Sequence, residues 1–201
     1  MRDLSKKANS KDVDSMVLAS SSPRRKELLG QILYDFNIVA SHGVELSKHE
    51  NGPVGLVMQN AKIKAEEVAQ RFPTQWILGA DTLVWLGDQI FCKPKDMNEA
   101  RDTLLFLSGR THMVSTGLCL INQKENYSVN KVETSEVTFR ELDEDIIDNY
   151  FQEVDPLDKA GSYAIQTRPD LIIENFKGSH SNVVGLPVET VRAWFVEVGI
   201  L

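Results

Sequence analysis

Arg24 and Arg25 stand side by side in the segment SSSPRRKELLGQIL, and that placement conflicts with local electrostatics. Pro23 suits the first position of a helix and Ser22 suits the cap before it. Both arginines then fall in the first turn, at the end that already carries partial positive charge. The conflict disappears when an anion docks there, because free N–H groups and guanidinium forks suit phosphate oxygens; otherwise they are two solvated side chains. Lys64 is a second conflict. It lies seven residues after Val57 and four before Val68, on the apolar stripe of a predicted helix. A lysine there either snorkels outward or aims its ammonium into a cleft. Asp81 interrupts the apolar run WILGADTLVWL, where an unpaired carboxylate is costly to bury. It needs a metal, a cation or several donors, unless it caps a turn at the strand end. Glu45 closes a predicted strand, and Lys93 precedes Pro94 after another.

Together these residues have one chemical logic. Four cations (Arg24, Arg25, Lys64, Lys93) accompany two carboxylates (Glu45, Asp81). A polyphosphate carries several negative charges and travels with a divalent cation. Mg²⁺ prefers a few carboxylates plus substrate phosphates, and cations neutralise charge that develops on a transferring phosphoryl group. His112 and Cys92 stand alone, without partners at metal-ligand or triad spacing, and read as packing or surface residues.

The elements that must position these groups are readable in outline. MVLA from Met16 is a short strand entering the Ser-rich turn, and Leu28, Leu29, Ile32 and Leu33 give the first helix its apolar face. FNIVASHGVEL reads as a second strand ending near Glu45. Val57, Ala61, Ala65, Val68 and Phe72 recur at helical spacing over about 54–71. Gly79, two residues before Asp81, allows close backbone approach. Asp96 and Glu99 form a capping box for a helix carrying Ala100, Leu104 and Leu107. Two alternating segments joined by QKEN form a hairpin. Asp143 caps a helix stopped by Pro156, and LPVETVRAWFVEV closes the chain as a helix with Val188, Val191 and Phe195 inward. Strands and helices interleave without strict alternation, which predicts an α/β fold: a twisted mixed sheet flanked by helices.

The chain has 201 residues, 42 % hydrophobic and 25 % charged, a length and composition suited to one domain with a full core. Its net charge of -7 argues against a nucleic-acid or anionic-membrane partner. No stretch is apolar enough to span a bilayer. Two cysteines, Cys92 and Cys119, fit neither a disulfide scaffold nor a zinc site, and suit the cytoplasm. Residues 1–15, MRDLSKKANSKDVDS, lack the apolar core of a secretory signal and read as a flexible polar extension before a single domain over 16–201.

Beyond these readings, the chain resembles the Maf (septum-formation-inhibitor-like) family of nucleoside triphosphate pyrophosphatases. The matching segments run in order: LASSSPRRKELL, NAKIKAEEVA, LGADTLV, KPKD, LSGRTHMVSTG, DKAGSYAIQ and NVVGLPVETV. The resemblance implies two lobes around a cleft, a homodimer, and metal-dependent (Mg or Mn) hydrolysis of a nucleoside triphosphate to monophosphate and pyrophosphate. It places the phosphate-binding residues at Ser20, Arg24, Arg25, Lys64 and Lys93, the metal ligands at Glu45 and Asp81, and the general base at Asp81. Asp158 and Lys159 come from its DKAG segment as supporting residues. It associates Arg24, Thr82 and Gln166 with base choice, and DKAG-Y-IQ resembles the branch acting on dTTP and UTP. A glutamine amide can pair with a pyrimidine edge and reject a base that leaves it unpaired. Here QTRPD replaces the usual glycine after that glutamine, and GVE a more acidic run before Glu45. Other expectations stay open: a preference for 7-methyl-GTP or non-standard purine triphosphates, and, in another class, a nucleotide-regulated binding module in cell division. The cellular purpose is either nucleotide-pool sanitation or arrest of division.

Overall fold

A computed structural model describes residues 16–201; the expected extension over 1–15 lies outside the described residues. In chain order the elements are β1 (Met16–Ala19), α1 (Pro23–Gly30), β2 (Phe36–Ile38), α2 (Gly52–Arg71), β3 (Trp76–Leu86), β4 (Gln89–Phe91) and α3 (Met97–Leu107). Then follow β5 (Thr111–Asn122), β6 (Tyr127–Phe139), α4 (Glu144–Phe151), α5 (Pro169–Ile172), β7 (Ile173–Lys177), α6 (His180–Val184) and α7 (Val188–Glu197). One mixed sheet runs β2-β1-β3-β5-β6-β7, with β4 also on β3. β1 pairs in parallel with both β2 and β3, and the other pairs are antiparallel.

Two helix starts form for the reasons their sequences suggest. Ser22 Oγ accepts from Arg25 N–H at 3.4 Å, with Pro23 first in α1. Asp96 Oδ1 accepts from Glu99 N–H at 2.9 Å, while the Glu99 carboxylate takes Lys95 N–H at 3.0 Å.

The second expected strand is a correction. Only Phe36–Ile38 is strand, and the chain from Val39 to Glu45 is loop. Val39 N–H still donates to Leu18 O of β1 at 3.1 Å, but beyond it the chain turns to side chains of α2. His42 N–H donates to Glu67, Arg71 donates to Ala40 O, and Leu46 N–H donates to Asn60 Oδ1. Once side chains satisfy those groups, nothing draws the segment into the ladder.

Three apolar clusters coat the sheet. On one face Ala61, Ala65 and Val68 of α2 meet Val17, Ile77 and Cys119. On the other, Leu29 of α1 and Trp194 and Phe195 of α7 meet Leu78 and Leu118; Trp194 is inward, and Val188 only partly so. Farther along the same long strands, Leu104, Ile147 and Tyr150 pack on Val84, Val137 and Phe139. The cleft opens between this third cluster and the first two, so the two lobes share one sheet.

Candidate active site

β3 divides the site between its faces. Asp81 points toward α2, and Thr82 toward α1 and the residue after α6. α2 reaches Asp81 because two glycines remove the obstacle. A Cβ on Gly79 would lie 2.3 Å from Ala61 O, and one on Gly117 would lie 2.4 Å from Val57 O. Gly117 is the β5 partner of Asp81 in the ladder. With both side chains absent, the helix backbone rests directly on the strands.

The consequence is a tight charged cluster. Lys64 Nζ stands 2.7 Å from Asp81 Oδ1 and 3.0 Å from Glu45 Oε2. The Lys64 and Asp81 side chains are 13 % and 9 % exposed, while Glu45 is half exposed. Asp81, buried in an apolar strand, thus has the cation its surroundings demand. Asn60, one helical turn before Lys64, donates from Nδ2 to Asp81 Oδ2 at 3.3 Å. The same amide brackets Leu46, accepting its N–H at 2.8 Å and donating to its carbonyl at 3.1 Å. Asn60 therefore ties the loop holding Glu45 to the strand holding Asp81. The sequence reading passed over it, although spacing of four from Lys64 places both on one helix face.

On the opposite face Arg25 is enclosed. Its Nε donates to Gly185 O at 2.9 Å, Nη1 to Ser20 Oγ at 3.3 Å, and Nη2 to Thr82 Oγ1 at 2.9 Å. Two of its five N–H donors remain. Burial pulls the guanidinium below its ordinary value, Asp81 and Glu45 oppose that, and Arg24 adds to it. Thr82 continues the chain to Thr116 at 2.9 Å, and Thr116 donates to Asn182 O at 3.1 Å. Thr116 and Asn182 had no signal in sequence; only the register across β5 and the return of α6 assemble them.

Arg24 points the other way and ion-pairs with Asp158 at 2.8 Å. Lys159 also contacts the Asp158 carboxylate and donates to Asp155 O at 2.7 Å. Burial pushes Asp158 up, but donation from Lys159 and Arg24 outweighs it and holds the carboxyl below its usual range. Lys93, Gln166, Cys92 and the Lys48–His49 pair complete the walls. Every residue that the resemblance assigns to the site thus lines one cleft of about 1140 Å³, whereas His112 is buried away from it.

Among the described residues, no group of three or more His, Cys, Asp or Glu is arranged to hold a metal alone. Two carboxylates facing one ammonium nevertheless match the donor set of a hard divalent cation that takes its other oxygens from substrate and water. No helix among the described residues is long and apolar enough to cross a membrane.

The fold resembles that of the Staphylococcus aureus Ham1 protein, with a TM-score of 0.54 at 12 % identity over 92 % of this chain and 99 % of that one. A Coxiella burnetii HAM1 protein has a TM-score of 0.50 at 13 % identity, covering 91 % and 98 %. Sequence relatives are nearer. A dTTP/UTP pyrophosphatase of Syntrophus aciditrophicus is 40 % identical over 188 residues, 94 % of this chain and 92 % of the relative. One from Bacillus cereus is 43 % identical over 173 residues, 86 % of this chain and 90 % of its own. The family model described as Maf-like protein matches residues 15–198. With the motifs folded into one cleft and the match running nearly end to end, the chain belongs to the Maf-like family.

Proposed function

We propose that this protein hydrolyses dTTP and UTP to the nucleoside monophosphate and pyrophosphate, with a divalent cation. The observation that carries the reading is the Lys64 ammonium set between Glu45 and Asp81, at the edge of a cleft walled by Arg24 and Lys93. The names of the relatives supply the substrate class.

In this reading Arg24, Lys64 and Lys93 face the triphosphate. Arg25 acts with its two remaining donors and by fixing Ser20, whose Oγ also accepts from Ser22 N–H at 3.2 Å. Glu45 and Asp81 would hold the cation, which supplies Lewis-acid polarisation and lowers the pKa of water. Asp81 takes the proton of the attacking water at Oδ2, the oxygen held only by the longer contact to Asn60. The water oxygen bonds to the α-phosphorus, the bridging bond to the β-phosphate breaks, and pyrophosphate leaves. Lys64 and Arg24 offset charge on the departing oxygens. Gln166 reads the base, and Arg24 and Thr82 shape that end of the site. The acidic composition and two free cysteines support a cytoplasmic setting, and the family resemblance supports a homodimer.

Asp81→Asn keeps the shape and removes the base. Pyrophosphate release from dTTP with Mg²⁺ or Mn²⁺ should fall by about 10²–10⁴-fold in a variant that still folds, with its unfolding midpoint lowered by the loss of the ion pair to Lys64. Near-normal turnover would remove Asp81 from that role, and no release from wild type would sink the reaction itself. Preferred turnover of 7-methyl-GTP would discard the base assignment and keep the chemistry.

A further inference from the structure

The turn that presents Gln166 is held by groups the hydrolysis does not use. Thr167 N–H donates to Ala164 O at 3.4 Å, so Ala164 to Thr167 close a four-residue turn with Gln166 exposed at its third position. One side chain grips both polar groups of the turn's first residue. Tyr150 Oη accepts from Ala164 N–H at 2.9 Å and donates to Ala164 O at 3.1 Å. Tyr150 sits on α4, fully buried, and does not line the cleft. Burial raises its hydroxyl to about 12, so the donor proton stays in place.

The neighbouring residue is anchored too. The Tyr163 hydroxyl meets His112 Nε2 at 2.9 Å, and the rings of His112, Phe139 and Tyr163 pack edge to face. Gly161 N–H donates to Cys92 O at 3.4 Å. The segment carries Ser162 at φ 64° and ends at Arg168 at φ 46°, both in the left-handed region that costs a side-chain-bearing residue about 1–2 kcal/mol. Ser162 Oγ is buried without a partner. Backbone of this kind persists only where its surroundings hold it: Arg168 is tied by its guanidinium to Glu153 and Asp170, and between the two strained residues the Tyr150 hydroxyl holds Ala164. A hydroxyl bonded to the N–H and C=O of one residue fixes that residue in both position and rotation. A phenyl ring in the same place fixes neither.

We propose that Tyr150 is a positioning residue for base selection: its hydroxyl sets Ala164 and, through the turn, the placement of the Gln166 amide against the nucleobase. This rests on the reading of Gln166 as the base-contacting group. Thymine presents an acceptor at the position where cytosine presents an amino donor. An amide tells them apart only if it is held to about 0.5 Å. Tyr150 acts through Gln166 and not on the phosphates, so its loss falls on discrimination.

The test is a double-mutant cycle. kcat and KM for dTTP and CTP are measured on wild type, Tyr150→Phe, Gln166→Ala and the double variant, with the thermal midpoint of each. Tyr150→Phe should lower the dTTP:CTP ratio of kcat/KM about tenfold, chiefly through KM for dTTP. In the Gln166→Ala background it should lower the ratio no further. An unchanged ratio in folded Tyr150→Phe, or an equal loss in both backgrounds, overturns the proposal. If Gln166→Ala leaves the ratio at its wild-type value, the base reading itself has failed and the positioning role falls with it. Should Tyr150→Phe not fold, Ala164→Pro, which removes the N–H that the Tyr150 hydroxyl accepts, should show the same loss, with an unchanged ratio again counting against the proposal.

Discussion

Lys64 shows why a single ammonium can organise a site. Its Nζ lies within 3.0 Å of two carboxylates that come from a loop and a strand. Asn60 does the corresponding work with neutral groups, joining Leu46 to Asp81. Asn60→Ala removes both bonds to the exposed Leu46 backbone, each contributing about 0.5–1.5 kcal/mol net. The urea midpoint should fall accordingly, and dTTP turnover should fall by more than the lost stability explains, because Glu45 is released from Asp81. Lys64 and Asp81 were readable as residues at odds with their surroundings, a conflict the ion pair resolves. Asn60 was not, since one asparagine within a long helix is only a mild departure from helix preference and does not announce its partners. Arg25 was read as a phosphate-binding residue, and three of its five donors turn to protein acceptors, an arrangement spacing alone cannot foretell.

α2 determines how closely the catalytic groups approach. Its backbone lies on Gly79 and Gly117, and any larger residue would lift it from the sheet. Gly117→Ala would place a Cβ against the Val57 carbonyl and should cost about 1–3 kcal/mol, read as a lowered denaturation midpoint. Activity should drop further, since Lys64 and Asn60 would withdraw from Asp81 together. Helical periodicity identified α2 because that pattern reflects burial on one face, and alternation identified β5 and β6, although β5, expected to be half-buried, is buried on both faces from Val114 to Asn122. The same reasoning overextended β2. The apolar residues of FNIVASHGVEL are spaced like a strand, yet Val44 stands exposed and the backbone bonds to α2 side chains. Patterning reports which residues prefer burial, not which backbone groups find a ladder.

The molecule as a whole should respond to acid through His112. Burial lowers it to about 4 from an ordinary value near 6.5, with Tyr163 and Phe139 as its neighbours. The unfolded chain takes up that proton as pH falls through 6.5, while the folded chain resists until about 4. Stability is therefore fully present above pH 6.5 and declines between 6.5 and 4, by about 3 kcal/mol at most. Thermal midpoints across that range should slope downward toward acid, and His112→Gln should flatten the slope; an equal slope in both proteins would assign it to other groups. The mixed sheet with flanking helices was legible from the interleaving of elements. Its strand order was not, because the placement of β1 between β2 and β3 leaves no local mark in the sequence.

That placement of β1 also bears on how the chain acquires its site. β5 and β6 are consecutive, and a short turn closes their long ladder from Asn122↔Tyr127 to Thr111↔Thr138. β1 instead pairs with β3 in parallel, which requires the whole of α1 and α2 to be looped out first. Local pairings precede those that must close a long loop. Ser20, Arg24 and Arg25 follow directly from β1, whereas Asp81 belongs to β3. A folding chain can therefore hold a finished hairpin and helices while the two halves of its cleft remain apart. Ligand binding would then report only the last long-range closure, and nucleotide would act as a selective brake on the first step of unfolding.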